Sequence, residues 1–513
     1  MPRTKIEHRN TLGISFEKGG ADLSTQLYEQ LCRQILSGQL KSGYPLPSTR
    51  SLAEALAVSR KTITTAYRQL SVEGFIESTP GSGTFVSLIE EKGQGKAAQT
   101  GTKSKKQRAN QKVSAASGSA RSKREKEADE VLSNCARQLL SFDHLHPEKS
   151  NLPISFASWR PYLDNELLTD FKRCLSRAVR NIPVGELAYS QDPAGYQPLR
   201  EAIAGYLRVN RKVECQADDI LLVTGLHSAL SLVAQLHHSD GAEMIFEDPG
   251  YSKAKLVARA LGYKILPVPV DEEGLATDKL PADRKFRLLY ATPSHQFPSG
   301  AVMSLSRRLK LLDWARQSGS LILEDDYDSE FRYLGQTIPA LQGLDNGERV
   351  IYTGSFHKVI YPAISVGYVV LPQRLRQLYR NAHWLLRDQI PGEYALALTD
   401  FITSGMMARH IHRMKSLYRN RKEVLVAEIA EKLKGRARIL DSQSGLHIMI
   451  ELSTSLTDEE ILRRAAARGV EMVSGSQFYE KRPPKGRFIM GFAGLTPKEI
   501  KDGVKRLSDA LSR

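Results

Sequence analysis

Apolar residues between Leu23 and Leu70 recur at helical spacing. Leu27, Leu31 and Ile35 share one face, and Gly38 ends that helix. Pro47-Ser48 opens a second, with Ser48 as N-cap and Leu52 and Leu56 turned inward. Val58-Ser59 opens a third, where Ile63, Ala66, Tyr67 and Leu70 stand at i, i+3, i+4 and i+7 before Gly74 stops it. Phe75-Ile76-Glu77 and Thr84-Phe85-Val86 then flank Pro80-Gly81-Ser82-Gly83, which predicts a two-stranded hairpin. Three helices and a hairpin make a winged helix–turn–helix.

From about residue 152 onward, helical and strand-like segments alternate. Short apolar runs bounded by turn residues suit buried parallel strands. They are Ile220 to Val223, Met244-Ile245-Phe246, Leu288-Leu289-Tyr290, Leu321-Ile322-Leu323, Val350-Ile351-Tyr352 and Val366-Gly367-Tyr368-Val369-Val370. The expected fold is α/β, with a mainly parallel central sheet and a smaller α/β subdomain over residues 409–513 packed above the site. The stretch between the two halves differs from both. From Lys92 to Arg124 it holds ten Lys or Arg and no acid, amid Gly, Ser, Ala, Gln and Thr. Too little apolar surface is present to offset ordering, so a disordered linker is expected. About 40 such residues span roughly 30–40 Å. The expected domains are residues 1–89, a basic linker at 90–140, and 141–513.

Charge adds a partner to this picture. The formal net charge of +16 over 513 residues favours a polyanion, nucleic acid before membrane. The third helix leaves Arg60, Lys61, Thr62 and Thr64 off its apolar face, where its first turn would reach base edges in the major groove. Arg50 and the wing around Gly83 would meet phosphates. The four cysteines are scattered with no CxxC pair, which fits a reducing cytoplasm and offers neither a disulfide framework nor a zinc site. His410-Ile411-His412 and His237-His238 lack a third ligand, so no metal is expected. Met1 to Asn10 is polar, unlike a signal peptide, and no run of about 18 apolar residues exists, so no membrane span is expected.

The candidate chemistry stands at strand ends. Leu321-Ile322-Leu323 runs into Glu324-Asp325-Asp326-Tyr327-Asp328, and Val350-Ile351-Tyr352 into Thr353-Gly354-Ser355-Phe356-His357-Lys358. Open α/β sheets bind ligands at the carboxyl ends of their strands. A lysine there can form an imine with pyridoxal phosphate, and a carboxylate can keep the pyridine nitrogen protonated. Lys358 and Asp325 suit those roles, with Tyr327 on the ring hydroxyl.

Leu46-Pro47-Ser48-Thr49-Arg50, Val58-Ser59-Arg60 and Gly81-Ser82-Gly83-Thr84-Phe85-Val86 resemble the DNA-binding domain of GntR-type repressors. Glu247-Asp248-Pro249-Gly250-Tyr251, Thr292 to Gly300, and Glu324 to Tyr333 resemble a fold-type I aminotransferase, and the whole chain resembles the MocR/GabR regulators. The resemblance implies a transcriptional regulator that binds a double-stranded operator as a head-to-tail homodimer. Its aminotransferase-like domain is then a sensor of pyridoxal phosphate or an amino-acid-like effector, with residual transaminase activity left open. The rival readings are an active aminotransferase carrying a DNA-binding head, and a sensor that has exchanged the cofactor for another ligand. The resemblance puts pyridoxal phosphate on Lys358, Asp325 at the pyridine nitrogen, Tyr251 near the ring, and Tyr189 of the partner subunit toward the phosphate. The helix after Gly225 offers that phosphate its N–H groups and dipole. Three positions depart from the family there: Leu226, His357 and Ser365 replace usual phosphate-binding residues, and His357 or His227 takes over part of the lost contact. Lys253 and Arg487 are the effector candidates.

Overall fold

The computed structural model describes residues 12–16, 22–79, 83–87, 133–140, 151–157, 160–187, 192–239, 241–282, 288–333, 338–386, 389–440, 444–481 and 483–512. The chain falls into two compact units, residues 1–112 and 113–513.

In the first unit α1 (Leu23–Leu36), α2 (Thr49–Leu56) and α3 (Arg60–Val72) each start at a side-chain cap, Asp22, Ser48 and Ser59 respectively. Those caps satisfy N–H groups that a helix start leaves open. Leu27, Leu31, Ile35, Leu52, Ile63, Ala66 and Leu70 form the core, joined by Leu12 and Ile14, while Leu56 stays half-buried. The wing has one strand more than the sequence pattern showed. Pro45–Leu46 (β1) pairs antiparallel with Gly83–Val86 (β3), which also pairs with Ile76–Thr79 (β2). A two-residue strand carries no periodicity to read.

The first described element of the second unit is a helix at Asn134–Leu140, inside the interval that composition assigned to the linker. The rest of the described unit has two layers. Ile154–Ser155 is β4. Ile220–Val223 (β5), Glu243–Asp248 (β6), Lys264–Asp271 (β7), Gly274–Leu275 (β8), Leu288–Ala291 (β9), Leu321–Asp326 (β10), Val350–Ser355 (β11) and Gly367–Val370 (β12) build an eight-stranded sheet in the order β5-β12-β11-β10-β9-β6-β7-β8. Its centre is parallel. The run at 366–370 departs from the expected parallel direction: β12 is antiparallel to both β11 and β5. Residues 356–366 hold only a single 3₁₀ turn, Pro362–Ile364, too little chain for the crossover that a parallel return needs.

The smaller layer has its own core. Ala437–Leu440 (β13), His447–Leu452 (β14), Val473–Ser474 (β16) and Arg487–Gly491 (β17) form an antiparallel sheet in the order β13-β14-β17-β16. The helices Met406–Lys432 and Pro497–Leu511 cover one face of it. The expected subdomain over 409–513 is there, but Ile154 and Phe156 complete it from the start of the unit, where β4 pairs with Val470–Glu471 (β15).

Candidate cofactor and DNA-binding sites

Side chains alternate along a strand, and this sorts the acidic run at the end of β10. Glu324 accepts the backbone N–H groups of Leu341 and Gln342 at 2.8 and 2.9 Å. Asp326 accepts from Arg211 Nε at 2.7 Å and from the Tyr352 hydroxyl at 2.6 Å. These two acids hold the fold together. Asp325 points the other way, where the Tyr290 hydroxyl donates to it. Tyr290 pairs with Leu323 across the parallel ladder, so both Tyr290 and Asp325 project from one face. Burial pushes the Asp325 carboxyl up to about 7, against the Tyr290 hydrogen bond.

Lys358 lies in the turn after β11, the strand beside β10, and Asp325 pairs in register with Thr353. The turn is fixed by the N–H groups of Val359 and Ile360, which donate to Phe356 O at 3.1 and 2.8 Å. Lys358 is 9 % exposed. Burial pulls its ammonium down to about 8 although the Asp328 and Asp325 carboxylates favour the charge. Arg160 is the cation felt at Lys358, a neighbour that sequence reasoning missed.

Tyr327 does not stand alone. Its hydroxyl is 2.8 Å from His295 Nδ1, which is also 2.8 Å from Asp328 Oδ1. The other oxygen of Asp328 is buried without a hydrogen bond. Phe297, edge-on to both Tyr327 and Tyr251, joins Met449, Phe478 and Ile489 in an apolar cover over these rings. None of Tyr290, His295 or Phe297 announced a role through spacing; the one signal for Tyr290 was a lone polar ring ending an apolar strand.

Gly225 caps the helix Leu226–His237 at φ 101° and ψ −175°, a conformation open to glycine. A Cβ on Gly367 would sit 3.0 Å from Gly225 Cα, so β12 and this helix start lie in close approach. His357 bonds Ser355 Oγ. Burial and then Lys358 push its imidazole down to about 3. His227, 3.4 Å from the Tyr251 hydroxyl, is lowered too, by burial and Lys253. Both therefore offer an anion a neutral hydrogen bond and no charge. Ser365 is exposed at φ 47°. Tyr189 lies outside the described residues.

Of the two effector candidates, Lys253 is felt at His227 of this cluster. Lys253 is exposed on the first turn of the helix Ser252–Ala260. The buried basic residue there is Lys255, bonded to Phe478 O at 2.9 Å. Arg487 is on β17, with Nη1 2.8 Å from the Tyr479 hydroxyl.

In the first unit Arg50, Arg60 and Lys61 are exposed. Arg50 pairs with Glu54 at 3.3 Å, and Arg60 Nε reaches Thr49 Oγ1 at 3.4 Å, tying the starts of α2 and α3. The Thr62 hydroxyl meets Ser59 at 2.8 Å, and that of Thr64 donates to Arg60 O at 2.8 Å, so both face the helix's own start. Gly83 opens β3 exposed at φ 117°.

The family "Bacterial regulatory proteins, gntR family" matches residues 23–86, and "Aminotransferase class I and II" matches residues 162–507. The "Probable rhizopine catabolism regulatory protein MocR" of Rhizobium meliloti is 33 % identical over 492 residues, covering 94 % of this chain and 93 % of that protein. The chain belongs to the MocR-type family of helix–turn–helix transcriptional regulators. Another such relative, the "Uncharacterized HTH-type transcriptional regulator YdeL" of Bacillus subtilis, is 32 % identical over 95 % of this chain and 96 % of its own. The aminotransferase part of this MocR-type chain is similar to LysN, the α-aminoadipate aminotransferase of Thermus thermophilus solved with N-(5'-phosphopyridoxyl)-L-leucine. That match has a TM-score of 0.64 and 26 % identity, over 75 % of this chain and 96 % of LysN. A MocR-type regulator thus joins a DNA-binding domain to a fold that implies pyridoxal phosphate. Among the described residues no helix is long and apolar enough to cross a membrane.

Proposed function

We propose that the larger unit holds pyridoxal phosphate on Lys358 and reports an amino-acid-like effector to the DNA-binding domain, in a cytoplasmic homodimer. The observation that carries this is the pairing of Asp325 and Lys358 at adjacent strand ends, both buried and each displaced by burial toward its neutral form.

The residues fit the cofactor on its ring side. Asp325 would hold the pyridine nitrogen and Tyr327 the ring oxygen, with Phe297 and Tyr251 excluding water. The phosphate side fits less fully, with the N-terminus of the helix Leu226–His237 and neutral His357 in place of a cation. When bound, the group supplies an aldehyde and an electron sink. Lys358 contributes a nucleophilic amine, because about half of it is neutral near pH 8. The cover above the site is apolar at Met449 and Ile489, which offers a substrate carboxylate no partner there and favours sensing over turnover.

The test is a visible spectrum of the purified protein with and without added pyridoxal phosphate. A cofactor band that grows on addition and is lost in Lys358→Ala supports the reading. A protein that stays colourless under saturating cofactor overturns it and leaves the DNA-binding assignment untouched.

A further inference from the structure

On the face of the small sheet turned away from its own core, three rungs of side chains follow one another along β14. His447 is first, 5.4 Å from the His295 ring and 3.3 Å from Pro298 O. The second rung is apolar: Leu440, Met449, Ile489 and Val473 are register partners and pack with Phe297, Tyr251 and Tyr327. The third is Arg438, Glu451 and Arg487, again register partners. Two residues along a strand rise about 6.8 Å, so this charged rung is roughly 13–14 Å beyond His447. An apolar layer separates it from the cofactor residues.

Arg438 and Arg487 of this rung line a cavity of about 410 Å³, shared with Leu440, Tyr479, Pro249, Ser299, Asp271 and Glu272. Arg438 Nη2 and Arg487 Nε both reach Glu451 Oε2, at 3.0 and 3.3 Å. Two guanidinium groups on one carboxylate leave that wall with a net positive charge. The cavity is also lined by Asp271, which is paired with Arg307, and by Glu272, exposed without an ion pair among the described residues. The two arginines therefore favour an anion and Glu272 a cation.

The geometry points to a second small-molecule site in this cavity, for a zwitterion of amino-acid size. Its carboxylate lies on Arg487 and Arg438 and its ammonium toward Glu272. This rests on the sensing role proposed above and gives the effector a place separate from Lys358. Leu440 belongs both to the cavity wall and to the apolar rung against Phe297 and Tyr327, so occupancy of the cavity bears on the cofactor residues through that one side chain.

The test is calorimetric titration of the full chain with three probes of equal length: 5-aminopentanoate, glutarate and pentane-1,5-diamine. The expected result is at least about tenfold tighter binding of 5-aminopentanoate than of either other probe. Arg487→Ala weakens it about tenfold, the loss of one charge-assisted contact. Arg438→Ala, whose side chain is 63 % exposed and is no support of the fold, weakens it as well and decides the matter if Arg487→Ala melts early. Lys358→Ala still binds it. Equal affinity for the three probes, unchanged affinity in both arginine variants, or loss of binding in Lys358→Ala overturns the site. If the site passes while 5-aminopentanoate leaves DNA affinity unaltered, the site stands and the sensing role falls.

Discussion

Arg211 and Asp326 form a buried ion pair, Nε to Oδ2 2.7 Å, with side chains 5 % and 2 % exposed, one residue past Asp325. Arg211 also donates to Ile338 O at 3.0 Å and Ser294 Oγ at 2.7 Å. It thereby ties the end of β10 to the loops around it.

Removing one partner of such a pair leaves an uncompensated charge. Arg211→Met is expected to cost about 3–5 kcal/mol in urea unfolding, and adding Asp326→Leu to recover more than half of that. A single variant within about 1 kcal/mol of wild type would show that the pair is solvated in solution.

Cofactor uptake should follow the protonation of Lys358. Amine addition needs the neutral form, and burial has lowered this amine to about 8. The rate at which the visible band develops should therefore rise with pH through about 8 and level off above it. An unburied lysine would keep climbing toward about 10.4. Ser365→Arg, which places a guanidinium near the Gly225 helix start, is expected to tighten cofactor binding about tenfold; equilibrium titration reads this directly.

Arg60 opens the recognition helix, exposed. Arg60→Ala is expected to weaken binding to a DNA fragment selected by the protein from a random pool by about 1–3 kcal/mol at fixed salt. The cofactor spectrum should not move. Equal gel-shift affinity for variant and wild type would remove Arg60 from the interface.

Gly445 is held at φ 84°, and a Cβ there would collide with the His295 ring and come within 2.8 Å of Asp328 Oδ2. Gly445→Ala adds backbone strain of about 1–3 kcal/mol to that collision. The expected outcome is a lower melting temperature together with a disturbed cofactor band. A variant with the wild-type spectrum would show that the His295–Asp328 contact does not position Tyr327.

Much of this was legible in the sequence because periodicity and caps are local. Ser48 caps its helix as read, Ser59 starts the next, and Asp325 stands at the end of one strand while Lys358 follows the end of its neighbour. What could not be read depends on distant partners. Nothing in the run Glu324-Asp325-Asp326 says which acid faces the site until the partners Leu341, Tyr290 and Arg211 are in place. The joining of Ile154 and Phe156 to a core built some 250 residues later leaves no mark on either segment. Arg487 was marked by its neighbours in the chain, yet Ile489, two residues on along the same face, packs against Tyr327, and the strand's rise leaves Arg487 at the cavity.

The antiparallel return of β12 bears on the thermodynamics of binding. The segment carrying Lys358 is held between two strands of one sheet, and Phe356 N–H donates to Val366 O at 3.0 Å across its base. Its conformational entropy is therefore lost when the sheet forms, well before any aldehyde arrives. Cofactor uptake orders little chain, so the change in heat capacity should be small and the affinity set by contacts alone. The site behaves as a rigid receptor, and amide exchange across residues 356–360 should be as slow in the free protein as in the loaded one.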